Sequence, residues 1–144
     1  MNLEHYRLIS ENSKYGNQLM IYLIEPTRNT PYVNFDYNSG ILELKGISSP
    51  ENSLEFYNPV FKAVDKYKEF GKNQLEVNMA LEYFNTSSSK CIYQIFKGIK
   101  RLSEAGSSVV INWMYDSDDE DMREVGEDYS DILGLEFNYL EMDF

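Results

Sequence analysis

Cysteine is almost missing from this chain of 144 residues: Cys91 stands alone, which excludes an internal disulfide and any metal site built from several thiolates. Histidine is as scarce. The single one, His5, lies in a polar stretch near the start, so a nucleophile activated by a neighbouring imidazole is excluded as the basis of a hydrolase or transferase. Apolar runs such as "LMIYLI" at 19–24 are far too short to span a bilayer, and no basic segment leads into a small-residue cleavage site; the expected compartment is the cytoplasm. Basic charge is in deficit, with thirteen Lys and Arg against twenty-four Asp and Glu and a formal net charge of −11, so the overall field repels phosphate backbones and anionic lipids. Neither nucleic acid nor a membrane surface is an expected partner. No glycine lies between Gly71 and Gly98, so Thr86 does not belong to a phosphate-cradling loop of the Walker type. The acid run Asp116, Asp118, Asp119, Glu120 and Asp121 lacks the central glycine and closing glutamate of a calcium loop and reads as a solvated start of a helix. No metal or cofactor is expected.

What the sequence does contain is a foldable core. Hydrophobic residues make up 42% and aromatics 15%, with only four prolines and eight glycines, the composition of one folded domain rather than a disordered chain. Residues 1–18 are polar and aperiodic and read as an arm ahead of a single domain spanning 19–144. A short strand is expected over 19–25, ended by Pro26, and then a hairpin in which residues 32–36 and 41–45 flank "YNSG". Ser49, Pro50 and Glu51 supply a cap, a preset φ and a dipole-matched charge, so a helix is expected to open there, with Leu54, Tyr57, Phe61, Val64 and Tyr67 on its inner stripe and Gly71 at its end.

Residues 75–83 then alternate strictly. Leu75, Val77, Met79, Leu81 and Tyr83 point one way and Glu76, Asn78, Ala80 and Glu82 the other, which predicts a strand with one buried face. Ile92, Ile95, Phe96, Ile99 and Leu102 predict a second helix with Cys91 half buried on it, "VVINWMY" at 109–115 a further strand with Trp113 in the core, the acidic segment after it a third helix, and "FNYLEM" at 137–142 the last strand. The alternation implies right-handed βαβ crossovers: an α/β fold with a mixed sheet, hairpin first, and about three helices mainly on one face. The other face is left to solvent or to a partner.

Between the alternating strand and the second helix stands a knot of polar residues, Asn85, Thr86, Ser87, Ser88 and Ser89. Such side chains accept from the unpaired N–H groups of a helix start. Capping accounts for one or two of them. Asn85 or Thr86 falls at the cap, where the dipole would also stabilise a phosphoryl group carrying about −1.5 to −2 charges. On the residues alone, capping and phosphate acceptance are both open.

The stretches "TPYVNFDYNSGILELKGISSPENSLEFYNPVF", "LEYFNTSSSK" and "INWMYDSDDEDMREVGEDY" resemble, in order and spacing, the SiaC-type bacterial regulatory phosphoproteins across about residues 20–143. The resemblance implies a fold similar to the STAS domain of anti-anti-sigma factors and a non-enzymatic role in partner switching. A Ser/Thr protein kinase of the GHKL type would phosphorylate Thr86, which matches the family's acceptor in "NTSS", and a PP2C-like phosphatase would reverse it. The unmodified form would control an effector such as a diguanylate cyclase. Ser87, Ser88 and Ser89 then stand as caps or secondary acceptors, Asn85 fixes the turn, and Tyr83 and Phe84 form an aromatic rim for a partner. "SPENS" at 49–53 resembles the family's other signature and is given structural duty first. The alternative is an unswitched interaction module that binds through its open sheet face, where a charge placed at Asn78 or Ala80 would abolish binding.

Overall fold

The computed structural model describes the backbone of residues 6–12, 18–70 and 73–144, with side chains from residue 21 onward; His5 and Gly71 lie outside the described residues. Strands β1 (Tyr6–Asn12), β2 (Gln18–Ile24), β3 (Tyr32–Asp36) and β4 (Ile41–Ser48) form an antiparallel meander. Then α1 (Ser53–Tyr67), β5 (Gln74–Phe84), α2 (Thr86–Glu104), β6 (Ser108–Asp116), α3 (Glu120–Leu133) and β7 (Phe137–Met142) alternate, and β4 through β7 pair in parallel. The seven strands lie in chain order across one sheet. Because the three crossovers all step in the same direction, crossovers of one hand place α1, α2 and α3 on one face.

The hairpin between β3 and β4 follows from its residues. Asp36 Oδ1 accepts from the N–H groups of Asn38 and Ser39 at 3.0 and 3.3 Å, and Gly40, at φ +71, takes the left-handed conformation that returns its own N–H to the Asp36 carbonyl. The core is the alternating face of the strands against the helices: Val33 and Phe35, Leu42 and Leu44, Leu75, Val77 and Met79, Ile111 and Trp113 are at most 2% exposed. Trp113 is its largest fully buried side chain. Phe84, Phe96, Tyr129 and Phe137 surround the indole at centroid distances of 5.7–6.4 Å, and its Nε1–H donates to the Met122 carbonyl at 2.9 Å. Gly126 lets α3 lie directly on that ring, since a Cβ there would meet Trp113 Cδ1 at 2.6 Å.

The opposite face is mixed, with Ile41, Val110 and Leu140 exposed beside a row of polar side chains. In register across β5, β6 and β7, Asn138 donates to Asn112 at 3.1 Å, Asn112 to Asn78 at 2.8 Å, and Asn78 to Glu76 at 3.0 Å.

Several details depart from the sequence expectation. Residues 6–12, read as part of an aperiodic arm, form the edge strand β1, whose hydrogen bonds come from pairing with β2 rather than from any pattern of its own. The first helix opens at Asn52, whose Oδ1 accepts from the Glu55 N–H at 3.1 Å; Ser49 is still held from the strand side, its N–H bound to the Asn29 carbonyl at 2.7 Å. Its inner stripe consequently runs through Phe56, Val60 and Ala63 beside Tyr57, Val64 and Tyr67, and Leu54 is left 68% exposed. Cys91 is fully buried rather than half buried, and burial raises its thiol pKa, which makes it inert. Ala80 belongs to the outward set, yet its methyl is too short to reach past its neighbours on adjacent strands and it is buried. A charge at Ala80 would therefore probe folding, not a surface.

An aromatic corner makes the fold sensitive to alkali. Tyr37 donates to the Ala63 carbonyl amid Phe35, Tyr67 and Phe70, and burial, reinforced by the charges of Glu69 and Tyr67, pushes its phenol from 10.0 up to about 12. Burial raises Tyr57, Tyr67 and Tyr129 as well. Above about pH 10 the unfolded chain loses phenolic protons that the folded chain retains, so stability is complete below that value and falls as pH rises toward 12. Urea midpoints measured between pH 8 and pH 11.5 are expected to stay level to about 10 and then decline.

Candidate functional site: two helix starts joined by hydroxyls

Strands β4 and β5 run side by side, and each hands over to a helix at its C-terminal end. This brings the first turns of α1 and α2 together. Asn85 caps α2, its Oδ1 accepting from the Ser88 N–H at 2.8 Å, while its own N–H donates to the Ser48 carbonyl at 3.0 Å. Asn85 therefore fixes the turn, as its residue type suggests. Thr86 follows as the first helical residue.

The other hydroxyls have definite tasks. Ser88 is completely buried and donates to the Ser48 carbonyl at 3.1 Å. It accepts from Ser48 Oγ at 2.8 Å, so the Tyr57 hydroxyl, 2.6 Å from Ser48 Oγ, is the donor in that contact. A second chain runs nearer the surface: Ser87 Oγ donates to Asn85 Oδ1 at 3.2 Å, and Ser53 Oγ in turn donates to Ser87 Oγ at 2.7 Å. Ser89 Oγ closes the first turn on the Thr86 carbonyl at 2.7 Å, and the Ser89 carbonyl receives the Tyr129 hydroxyl of α3 at 2.8 Å. The knot thus joins both helix starts to the end of β4.

Thr86 differs from its neighbours. Its side chain is exposed, and among the described residues its hydroxyl has no hydrogen-bond partner. Tyr83 is 54% exposed. Phe84 is half buried and packs at right angles to Trp113, so of the two expected rim aromatics Tyr83 is the one offered to solvent. Ser88, with no exposed surface, belongs to packing and is withdrawn as a partner contact or secondary acceptor.

Sequence reading places Tyr57 only on the inner stripe of the first helix and Ser53 only within "SPENS"; it joins neither of them, nor Ser48, to this network. The signal was only that "SSPENS", with three hydroxyls, resembles "NTSSSK", with four; nothing local says the two meet. Of the acid run, Asp119 caps α3 by accepting from the Met122 N–H at 3.1 Å and Asp116 accepts from the Asp118 N–H at 2.9 Å. Among the described residues no group of three or more His, Cys, Asp or Glu is placed to hold a metal, and no helix is long and apolar enough to cross a membrane.

Removing the buried hydroxyl tests the network. Ser88→Ala leaves Ser48 Oγ without its acceptor and one lone pair of the Ser48 carbonyl unfilled, a cost of about 1–3 kcal/mol. Urea unfolding of Ser88→Ala is expected to show that loss, and Ser89→Ala, whose bond is exposed, a smaller one.

The site is thus two helix starts on one face of the sheet, cross-linked by hydroxyls beneath one exposed threonine. Residues 24–142 match the SiaC family regulatory phosphoproteins, and the chain belongs to that family. β1 and most of β2 precede the matched segment. The chain is similar to apo-SiaC from Pseudomonas aeruginosa, with 29% identity and a TM-score of 0.78 over 83% of this chain and 98% of that one. It is equally similar to the structure of the diguanylate cyclase SiaD in complex with its activator SiaC from the same organism, with 30% identity and a TM-score of 0.79 over 83% and 98%. An uncharacterised protein of Pseudomonas aeruginosa strain UCBPP-PA14 is 32% identical over 114 residues, 79% of this chain and 90% of the relative.

Proposed function

We propose that this chain is a non-enzymatic, cytoplasmic partner-switching protein whose Thr86 is reversibly phosphorylated. A Ser/Thr kinase of the GHKL type adds the phosphoryl group, a PP2C-like phosphatase removes it, and the unmodified form binds and controls an effector such as a diguanylate cyclase. One observation carries the reading. Of the hydroxyls at the start of α2, only the Thr86 oxygen is both exposed and free of a hydrogen bond among the described residues, so a kinase reaches it without dismantling the helix start. A phosphoryl group there meets the N–H groups and dipole of the first turn, which favour its charge. The relative in complex with SiaD supports an effector of the cyclase class.

The test is binding of a purified diguanylate cyclase to the unmodified protein, to the protein phosphorylated by its kinase, and to Thr86→Glu. The unmodified protein is expected to bind and to raise cyclase activity, the phosphorylated form to lose both, and Thr86→Glu to lose part of each, because a carboxylate carries one charge where phosphate carries about two. Equal binding by all three would overturn the reading.

A further inference from the structure

The proposed function leaves the outer surface of α2 unexplained. At about 100° per residue, Thr86, Lys90, Lys97 and Arg101 fall within an arc of about 60°, opposite the buried stripe of Ile92, Ile95, Phe96 and Ile99. Lys100 flanks them. Lys90, Lys97 and Arg101 are exposed and no Asp or Glu occurs in residues 83–103; the exposed Glu104, last residue of α2, closes the same arc three residues beyond Arg101. Four of the thirteen basic residues of a chain with net charge −11 are therefore gathered on one helix, and three of them form a ridge about 16 Å long that begins one turn after Thr86. Lys97 lies 5.6 Å over the Tyr93 ring, and Arg101 makes one exposed contact of 3.5 Å with Asp65, which leaves its charge largely available.

We infer that this ridge on α2 is the docking surface for an acidic segment of a protein partner, and that phosphorylation of Thr86 weakens docking by cancelling the ridge's charge. The switching half rests on the proposed function; the ridge does not. A group of about −2 charges on Thr86 neutralises about two of the cations, and Lys90, four residues on, lies on the same side of the helix within reach of it. An acidic partner then meets a neutral or repulsive edge. A compact acidic segment is favoured over nucleic acid or lipid because the field outside the ridge is strongly negative. α3, also on this helical face, carries exposed Glu120, Asp121, Glu124, Glu127, Asp128 and Asp131, which repel an extended polyanion.

The experiment is a two-dimensional NMR titration of the full chain with three probes: an amphipathic helical peptide whose polar face is glutamate, the same peptide with lysine there, and a short DNA duplex. The glutamate peptide is expected to shift the amides around Lys90, Lys97 and Arg101, with the shifts fading as salt is raised. Lys97→Glu with Arg101→Glu should abolish them, Lys45→Glu on the far sheet face should not, and phosphorylation or Thr86→Glu should weaken binding about tenfold and about threefold respectively. The inference is overturned if the glutamate peptide leaves α2 unperturbed, if the duplex occupies the ridge as tightly as the peptide, or if α2 shifts with protein concentration alone, which would assign the ridge to a second copy of this chain. A ridge that binds in a chain no kinase labels at Thr86 would sink the switch and spare the surface. Labelling at Thr86 beside an inert ridge would do the reverse.

Discussion

Thr86→Ala is expected to reduce kinase-catalysed phosphate incorporation to background while leaving the fold intact. The two halves of that result have different origins. Loss of labelling follows because every neighbouring hydroxyl is committed: Ser87 to Asn85 and Ser53, Ser88 to the buried Ser48 pair, Ser89 to the Thr86 carbonyl. Preserved stability follows because the Thr86 hydroxyl holds nothing in place among the described residues, so its removal should change unfolding free energy by no more than about 0.5 kcal/mol. Thr86→Ser keeps an acceptor oxygen at the same position and is expected to restore labelling. In a cell, Thr86→Ala should leave effector control permanently in its unmodified setting. Labelling that persists in Thr86→Ala, or that Thr86→Ser fails to restore, would move the acceptor elsewhere.

Trp113→Ala is expected to cost about 3–5 kcal/mol, the largest stability effect of any single truncation considered. The indole is 1% exposed and is enclosed by rings from β5, α2, α3 and β7. Relaxation cannot easily fill the void, because Gly126 places helix backbone against the ring and offers no side chain to swing inward. The Met122 carbonyl also loses its donor. At roughly 2–4 °C per kcal/mol for a chain of this size, the midpoint of thermal unfolding followed by circular dichroism should drop by about 6–20 °C. Trp113→Phe retains most of the packing and should cost clearly less. Equal losses in the two variants would show that the donor to Met122, not the filled volume, dominates.

The parts of the fold that were legible in sequence are those whose signal is periodic and local. Leu75, Val77, Met79 and Leu81 alternate because one face of β5 lies under helices, and Ile92, Ile95, Phe96 and Ile99 recur at helical spacing because α2 buries one stripe. β1 carries no such signal, being an edge strand made by its partner. The start of α1 was misread because Ser49 and Pro50 satisfy the same local preferences as a helix cap, while the long-range bond from Ser49 to Asn29 keeps the chain extended. At the site, the cap at Asn85 and the place of Thr86 at the start of α2 were readable from residue type. The bonds from Ser88 to Ser48 and from Ser87 to Ser53 were not, since they join segments 40 and 34 residues apart and depend on β4 and β5 lying side by side. The basic ridge of α2 was available in principle, from lysines and an arginine at helical spacing with no acid between them. The overall charge of −11 concealed it.

The most direct measurement is to incubate the purified protein with its kinase and ATP and to locate the phosphate by mass spectrometry of proteolytic fragments. The result expected is a single phosphoryl group on Thr86, removed again by the phosphatase. Phosphate on Ser87, Ser89 or a residue outside the first turn of α2, with Thr86 unmodified, would contradict it.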